Sequence, residues 1–493
     1  MTSSKLAKPG TDRLLADYLK VRLRDMSQEE TSPITLNGEI ARYIREKGIW
    51  ERVSKTELFE IMDAYPQGWA KAPKGVHIKQ TLRGYESAIN FLLVQAAKTQ
   101  LDDTSAQNGR TLGIGFADGF LNLQNPDSPY LEPHKPTNYL TYTIPIPCPD
   151  LSSLALPPDS WLAKAFEMVW KNDTDKQEKA DLLAEFVGAS LIGKAPVYQT
   201  LVLMYGSSGK NGKSTIIQAI EKLFGHALTA VDPSQWEDQY YRASLAGALL
   251  NTCTELPDIQ VATADSFKKI VTGEIISARQ PYGRVFYFNP NAGHLFATNK
   301  FPATADQDDG FWRRWIILTF NRIIPKEEHT SKLELQQRIT DDLPNLAKWA
   351  IAGAQRIIKR NEYVAPPSSR ETLNEWKINT DQVAQFVKCA TIKPGGRGRK
   401  AATHNSLFTN YKEWCMFTGH KQLSGQNFFL RLSRLGITDP KTLCVLPRHQ
   451  WAMAAHKQFD EGKEALTDED ERMDADDISN YQECHDRAKE GVG

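Results

Sequence analysis

One segment constrains the fold more than any other: LVLMYGSSGKNGKSTIIQAIEKLFG, residues 201–225. Residues 201–205 are a short apolar run of the kind a buried strand needs, and a glycine-rich turn follows. Lys213, Ser214 and Thr215 then open a helix. Ile216, Ile217, Ile220, Leu223 and Phe224 mark its buried face, and Gly225 is placed to stop it. Strand, glycine-rich loop and helix N-terminus in that order make a phosphate cradle, because backbone N–H groups and the helix dipole both favour an anion there. In such a cradle Lys213 reaches the β- and γ-phosphates of ATP and Ser214 ligates Mg2+. The expected nucleotide-binding set is Gly206, Ser207, Ser208, Gly209, Lys210, Asn211, Gly212, Lys213, Ser214 and Thr215. The strict spacing calls for a glycine five residues before Gly212, where this chain has Ser207; glycines stand at 206 and 209 instead.

Around this loop, between about 196 and 325, short apolar strands alternate with helical segments, the pattern of an α/β core. A hydrolase of this design also needs an acid for Mg2+ and water, a polar group at the γ-phosphate, and often an arginine from a neighbour. LAGALLNTCTELP (245–257) is a strand-like run ending in Glu255, and GHLFATNKFP (293–302) is another ending in Asn299. In GFWRRWIILTF (310–320), Arg313 and Arg314 precede a further apolar strand. Glu255 lies 42 residues after Lys213, and Asn299 lies 44 after Glu255.

The motifs YGSSGKNGKST, LAGALLNTCTEL, FKKIVTGEIISAR, HLFATNKFP and GFWRRW resemble those of the superfamily 3 helicases. The likeness is to the phage/plasmid primase-helicase branch that includes the poxvirus-type enzymes. It covers about 111–330 and extends more loosely to about 436; GFADGFLNL and the 139–200 region resemble the domain that precedes the motor in that branch. The resemblance implies a P-loop NTPase (AAA+-like) motor in which Lys213 and Ser214 are the P-loop pair, Glu255 is the acid and Asn299 senses the γ-phosphate. It makes Arg314 the finger inserted into a neighbouring subunit's site, with Arg313 the second choice. A charge supplied across a boundary needs head-to-tail contacts that close into a ring, and members of this family are typically hexameric. The resemblance further implies a hairpin between Ile275 and Phe288, turning at 280–283, that grips single-stranded DNA with Arg279, Tyr282 and Arg284 near its tip. A solvated surface hairpin is the other reading. Glu274 and Pro281 depart from the family pattern, which has an aspartate and a hairpin lysine there. Lys268 matches a family lysine that contacts nucleotide or a neighbour, and it is grouped with the DNA contacts.

The implied function is an ATP-dependent replicative DNA helicase of a phage, plasmid or mobile element, acting on single-stranded and forked DNA in the host cytoplasm. The alternative is a nucleotide-regulated, origin-binding initiator or loader with little unwinding activity. Residues 1–110 show no paired-aspartate polymerase motif and no zinc knuckle, so a separate primase or polymerase is the expected source of primers.

The fold expected from the whole chain is α/β: the motor core, an N-terminal α+β region and a C-terminal winged-helix-like domain. Residues 1–110 read as mostly helical, with 1–30 polar and frayed and Trp50, Trp69 and Tyr85 as anchors. Strands then helices follow over 111–195, the motor over 196–330, and a helical connector over 331–392. In 393–457, Leu407, Phe408, Tyr411, Trp414 and Cys415 share a helix face. After a turn at Gly419, Ser424 caps a second helix burying Phe428, Phe429, Leu432 and Leu435, and TLCVL (442–446) reads as a short strand. Arg431 and Arg434 fall on the opposite face of that helix, and Arg397, Arg399 and Lys400 lie in the basic loop KPGGRGRK (393–400). This is consistent with a winged helix-turn-helix on DNA, or with a plain helical packing module. The net charge of zero hides an asymmetry: residues 458–493 hold 13 acids and 4 bases, a net of −9, on an otherwise basic chain. Such a tail either competes for a polyanion-binding surface or only solvates. The six cysteines (148, 253, 389, 415, 444, 484) include no C-x-x-C pair, so reduced, mostly buried thiols are expected, and no apolar run is long enough for a membrane span.

Overall fold

The computed structural model describes residues 11–27, 31–66, 81–96, 111–256, 264–281, 283–302, 309–392 and 401–446. Trp69, Tyr282, Arg397, Arg399, Lys400 and the acidic tail lie outside them. The chain divides into two compact units, one ending at Trp376 and the other beginning at Lys377.

Within the stretch expected to be frayed, the described residues form helix α1 (Thr11–Met26). Leu15, Leu19 and Leu23 recur every four residues and are buried, which gives an otherwise polar helix one apolar stripe. Residues 34–52 depart from the helical expectation. They form an antiparallel meander of β1 (Ile34–Leu36), β2 (Glu39–Ile44) and β3 (Ile49–Arg52). The signal was there in Asn37-Gly38: both residues have positive φ, as a tight hairpin turn requires, and Asn-Gly supplies that at little steric cost. Helices α2 (Lys55–Asp63) and α3 (Leu82–Ala96) complete this layer. Trp50 and Tyr85 are buried in it. A second antiparallel sheet, β4 (Gly113–Phe116), β5 (Gly119–Asn122) and β6 (Tyr130–Glu132), leads into α4 (Trp161–Val169) and α5 (Lys176–Leu191).

The core that follows runs β7 (Leu201–Tyr205), α6 (Lys213–Phe224), β8 (Leu228–Thr229), α7 (Gln239–Ala243), β9 (Leu250–Cys253) and α8 (Ala264–Thr272). It continues through β10 (Ile276–Arg279), β11 (Val285–Phe288), β12 (Gly293–Thr298), α9 (Asp309–Trp312) and β13 (Trp315–Thr319). Five of these strands form one sheet in the order β13-β7-β12-β9-β8, and every pairing in it is parallel. Such a sheet is covered on both faces, which explains why β7, β12 and β13 read as nearly continuous apolar runs rather than alternating ones. Helices α10 (Lys332–Asp341), α11 (Leu343–Arg360) and α12 (Pro367–Thr380) follow. Gly188 and Gly353 let α5 and α11 approach closely: a Cβ on Gly353 would stand 2.0 Å from the Ala184 carbonyl oxygen. No described helix is long and apolar enough to cross a membrane.

The second unit begins earlier than sequence patterning placed it. Its helix α13 (Gln382–Ala390) contributes Val383, Phe386 and Ala390 to the same core as Leu407, Tyr411, Trp414, Phe428 and Leu432, so it is part of this unit and not of a connector. A two-residue strand, β14 (Thr391–Ile392), is followed by α14 (His404–Thr418) and α15 (Gly425–Arg434), and β15 (Cys444–Val445) pairs antiparallel with β14. Gly419 ends α14 with φ +74°, and the Ser424 hydroxyl caps α15 by accepting the Asn427 N–H at 3.3 Å. Among the described residues five cysteines are free thiols; Cys389, Cys415 and Cys444 are buried, while Cys148 and Cys253 are partly exposed.

Candidate functional site

In a parallel sheet every strand ends at the same edge, so the residues just past β7, β9, β12 and β13 gather along one rim. The crossover that inserts β12 between β7 and β9 sets Asn299 directly beside the loop that leaves β7. Ligands bind at such rims, at the point where the strand order reverses.

Lys213 opens α6 and is buried, with its ammonium hydrogens directed at three oxygens. It donates to the Gly206 carbonyl at 3.1 Å, to Asn211 Oδ1 at 3.1 Å and to Asn299 Oδ1 at 2.8 Å. Burial lowers its pKa to about 8. A desolvated cation surrounded by neutral oxygens is a strong attractor for an anion that can reach it.

The loop itself is held from beneath. Asn211 Nδ2 donates to the Ser208 carbonyl at 2.7 Å and to the Phe320 carbonyl at 3.2 Å. Ile324 N–H donates to the Lys210 carbonyl at 2.9 Å, so the segment leaving β13 grips the loop at two points. Gly206 has no room for a side chain, since a Cβ would lie 2.3 Å from Asn211 Nδ2 and 2.5 Å from the Phe320 carbonyl oxygen. Gly212 has φ +85°, and a Cβ there would meet Val169 at 2.4 Å. Gly209 faces open space. Gly206 thus occupies the tight position that the strict spacing assigns to residue 207, and Ser207 is exposed. Ser208 and Thr215 are partly exposed, while Lys210 and the Ser214 hydroxyl on the first turn of α6 lie at the surface. The cradle fits a polyphosphate. Ser214 is the loop hydroxyl available to a divalent cation.

Glu255 lies at the same rim, exposed in a bend beyond β9; the following Leu256 N–H is pinned to the Ala297 carbonyl at 2.9 Å. β12 separates β9 from β7, which puts the acid about two strand spacings, roughly 10 Å, from the loop. The arginines are elsewhere. Arg313 and Arg314 precede β13, and the Arg314 carbonyl accepts the Leu201 N–H at 2.8 Å, so both sit at the opposite edge of the sheet from Lys213. Arg314 is only 5 % exposed and donates to the Gly310 carbonyl, whereas Arg313 is exposed. Arg314 is thus packed into its own chain, while Arg313 reaches the surface.

The hairpin between the acid and Asn299 is present as β10–β11, with Ser277 opposite Tyr287 and Arg279 opposite Val285. Its inner face buries Ile276, Ala278 and Phe288. The other face carries exposed Val285 and Tyr287, with exposed Arg284 beside them, and Arg279 donates to the Gly283 carbonyl at 3.0 Å. Lys268 is half-buried on α8. In the second unit Arg434 is exposed, but Arg431 faces Asp381 at 3.6 Å, an intramolecular partner that the sequence did not reveal.

Residues 204–314 match a family model described as a family of unknown function, DUF5906. A curated protein of Acanthamoeba polyphaga mimivirus, "Putative helicase L207/L206", is 26 % identical over 214 residues. That match takes in 41 % of this chain and spans about a fifth, 20 %, of the relative's length. Among solved structures, an A-form apo structure of the NrS-1 C-terminal region is similar with a TM-score of 0.41 at 12 % identity, covering 86 % of this chain and 85 % of that one. A further apo structure of the same region gives 0.43 at 12 %, covering 90 % of each.

Proposed function

We propose that this chain is an ATP-driven DNA helicase motor of the superfamily 3 type, working in replication as a closed, six-membered head-to-tail ring. The observation that carries the reading is the contact of Lys213 Nζ with Asn299 Oδ1 at 2.8 Å: the phosphate-loop cation and the polar group at the end of the neighbouring strand are already paired. The likeness to a mimivirus protein named as a helicase supports the same reading.

On this reading the triphosphate lies along the N-terminus of α6 and competes with Gly206 and Asn299 for the Lys213 ammonium. Ser214 and Glu255 are the residues that would hold Mg2+, which would supply neutralisation of phosphate charge. Asn299, displaced from Lys213, can then follow the γ-phosphate. Arg313 serves a neighbour's site, because its own phosphate loop lies a full strand length away, at the far edge of the sheet. Arg279, Arg284 and Tyr287 supply cations and an aromatic face for single-stranded DNA, and Lys268 on α8 is a further cation for it. Arg434 offers a phosphate contact in the second unit. The ion pair of Arg431 with Asp381 weakens the case for α15 as a base-reading helix, and with it the origin-binding alternative.

Strand separation on a forked duplex, with ATP and Mg2+, tests the proposal. The natural chain should unwind it and Lys213→Ala should not. An assembled ring whose ATP turnover ignores DNA and which separates no strands would refute it.

A further inference from the structure

Lys179, on α5, is 1 % exposed, and its ammonium is enclosed by oxygens: Asp173 Oδ2 at 2.5 Å, Asp175 Oδ1 at 3.3 Å and Thr319 Oγ1 at 2.7 Å. Lysine is almost never fully buried without a partner, and an apolar residue of the same volume would avoid the cost of desolvating the charges. Thr319 is the last residue of β13, and its carbonyl accepts the Trp170 indole N–H at 3.0 Å. The next residue, Phe320, donates its N–H to the Tyr205 carbonyl at 2.7 Å and offers its own carbonyl to Asn211 at 3.2 Å. Asn211 Oδ1 in turn accepts from Lys213. An unbroken series of contacts thus runs from a buried cation on α5, through the end of β13, to the phosphate-loop lysine.

We infer that Lys179 and Thr319 are positioning residues for the phosphate loop. The ionic cluster fixes the end of β13, so that the Phe320 carbonyl, through Asn211, holds Lys213 where it meets phosphate. The helices that precede the sheet are thereby coupled to the nucleotide site. The inference rests on the nucleotide reading of Lys213, but one of its two tests does not need nucleotide.

Thr319→Val removes the hydroxyl at nearly constant volume and leaves Lys179 its two carboxylates; Thr319→Ser restores the hydroxyl. The first measurement is hydrogen exchange of the backbone amides of residues 206–212 without nucleotide, read by peptide mass spectrometry. The natural chain and Thr319→Ser should exchange alike. Thr319→Val should exchange about ten-fold faster or more across this loop, because the end of β13 no longer holds it. The second is ATP turnover, which should fall about ten-fold or more in Thr319→Val, with a smaller change in KM, and recover in Thr319→Ser. Asn211→Ala cuts the same relay nearer the loop and must speed loop exchange as well; it decides the matter if Thr319→Val fails to fold. Exchange that coincides in all variants, with turnover within about two-fold in Thr319→Val, would overturn the inference. A natural chain that hydrolyses no ATP would instead overturn the nucleotide reading, while the exchange rates still judge the relay.

Discussion

At the scale of the residue, Lys213 binds an anion only while protonated, and burial has brought its pKa down to about 8. A bound polyphosphate stabilises the cation and raises that pKa, so binding takes up a proton once the free lysine has begun to lose its own. Affinity for ATP should therefore be level below about pH 8 and fall by up to about ten-fold per pH unit above it, which calorimetry across that range can follow. Affinity that stays level well above that point would mean that Lys213 does not meet the phosphates. The glycines give a second contrast. Gly206→Ala pushes a methyl into Asn211 and the Phe320 carbonyl and should abolish nucleotide binding, whereas Gly209→Ala meets nothing and should retain it within about two-fold. Equal loss in both variants would remove Gly206 from the role the strict motif gives its first glycine.

At the scale of the element, the approach to β13 buries Arg314 and leaves Arg313 exposed, so the proposed ring assigns the neighbour's site to Arg313. Arg313→Ala should leave nucleotide affinity and thermal stability near those of the natural chain while turnover by the assembled protein collapses. Turnover should partly return when that variant is mixed with Lys213→Ala, since some junctions then pair an intact loop with an intact Arg313. Arg314→Ala should show itself in thermal unfolding, with a loss of about 2 kcal/mol for a buried side chain, and its turnover deficit should follow its stability. Full complementation by Arg314→Ala instead would restore that residue as the donor. The elements themselves were legible to different degrees. β7, α6, β12 and β13 could be read because their apolar runs and the loop between the first two are local patterns. The meander at 34–52 was missed because its strands are short and only the Asn37-Gly38 turn announces it. The order of Arg313 and Arg314 could not be read at all, since which of two adjacent arginines is buried depends on how Phe311, Trp312 and Trp315 pack, not on spacing. Nor could the grip of Phe320 and Ile324 on the loop, which is made by backbone atoms that any residue carries.

At the scale of the whole molecule, the unit that starts at Lys377 has its own core of aromatic and aliphatic side chains, with both of its longer helices capped. Expressed from Lys377 onward, it should unfold in a single cooperative transition, and Arg431→Ala should lower that midpoint by breaking the pair with Asp381 while Arg434→Ala does not. A fragment without a transition would show that this core needs the rest of the chain. In the first unit, the phosphate loop and Arg313 stand at opposite edges of one sheet, and on the proposed ring they become a socket on one side and a plug on the other. A copy without its plug keeps a sound socket and disables only the molecule next door. In a closed circle, then, damage is borne by a neighbour, and each defective copy silences one site that is not its own.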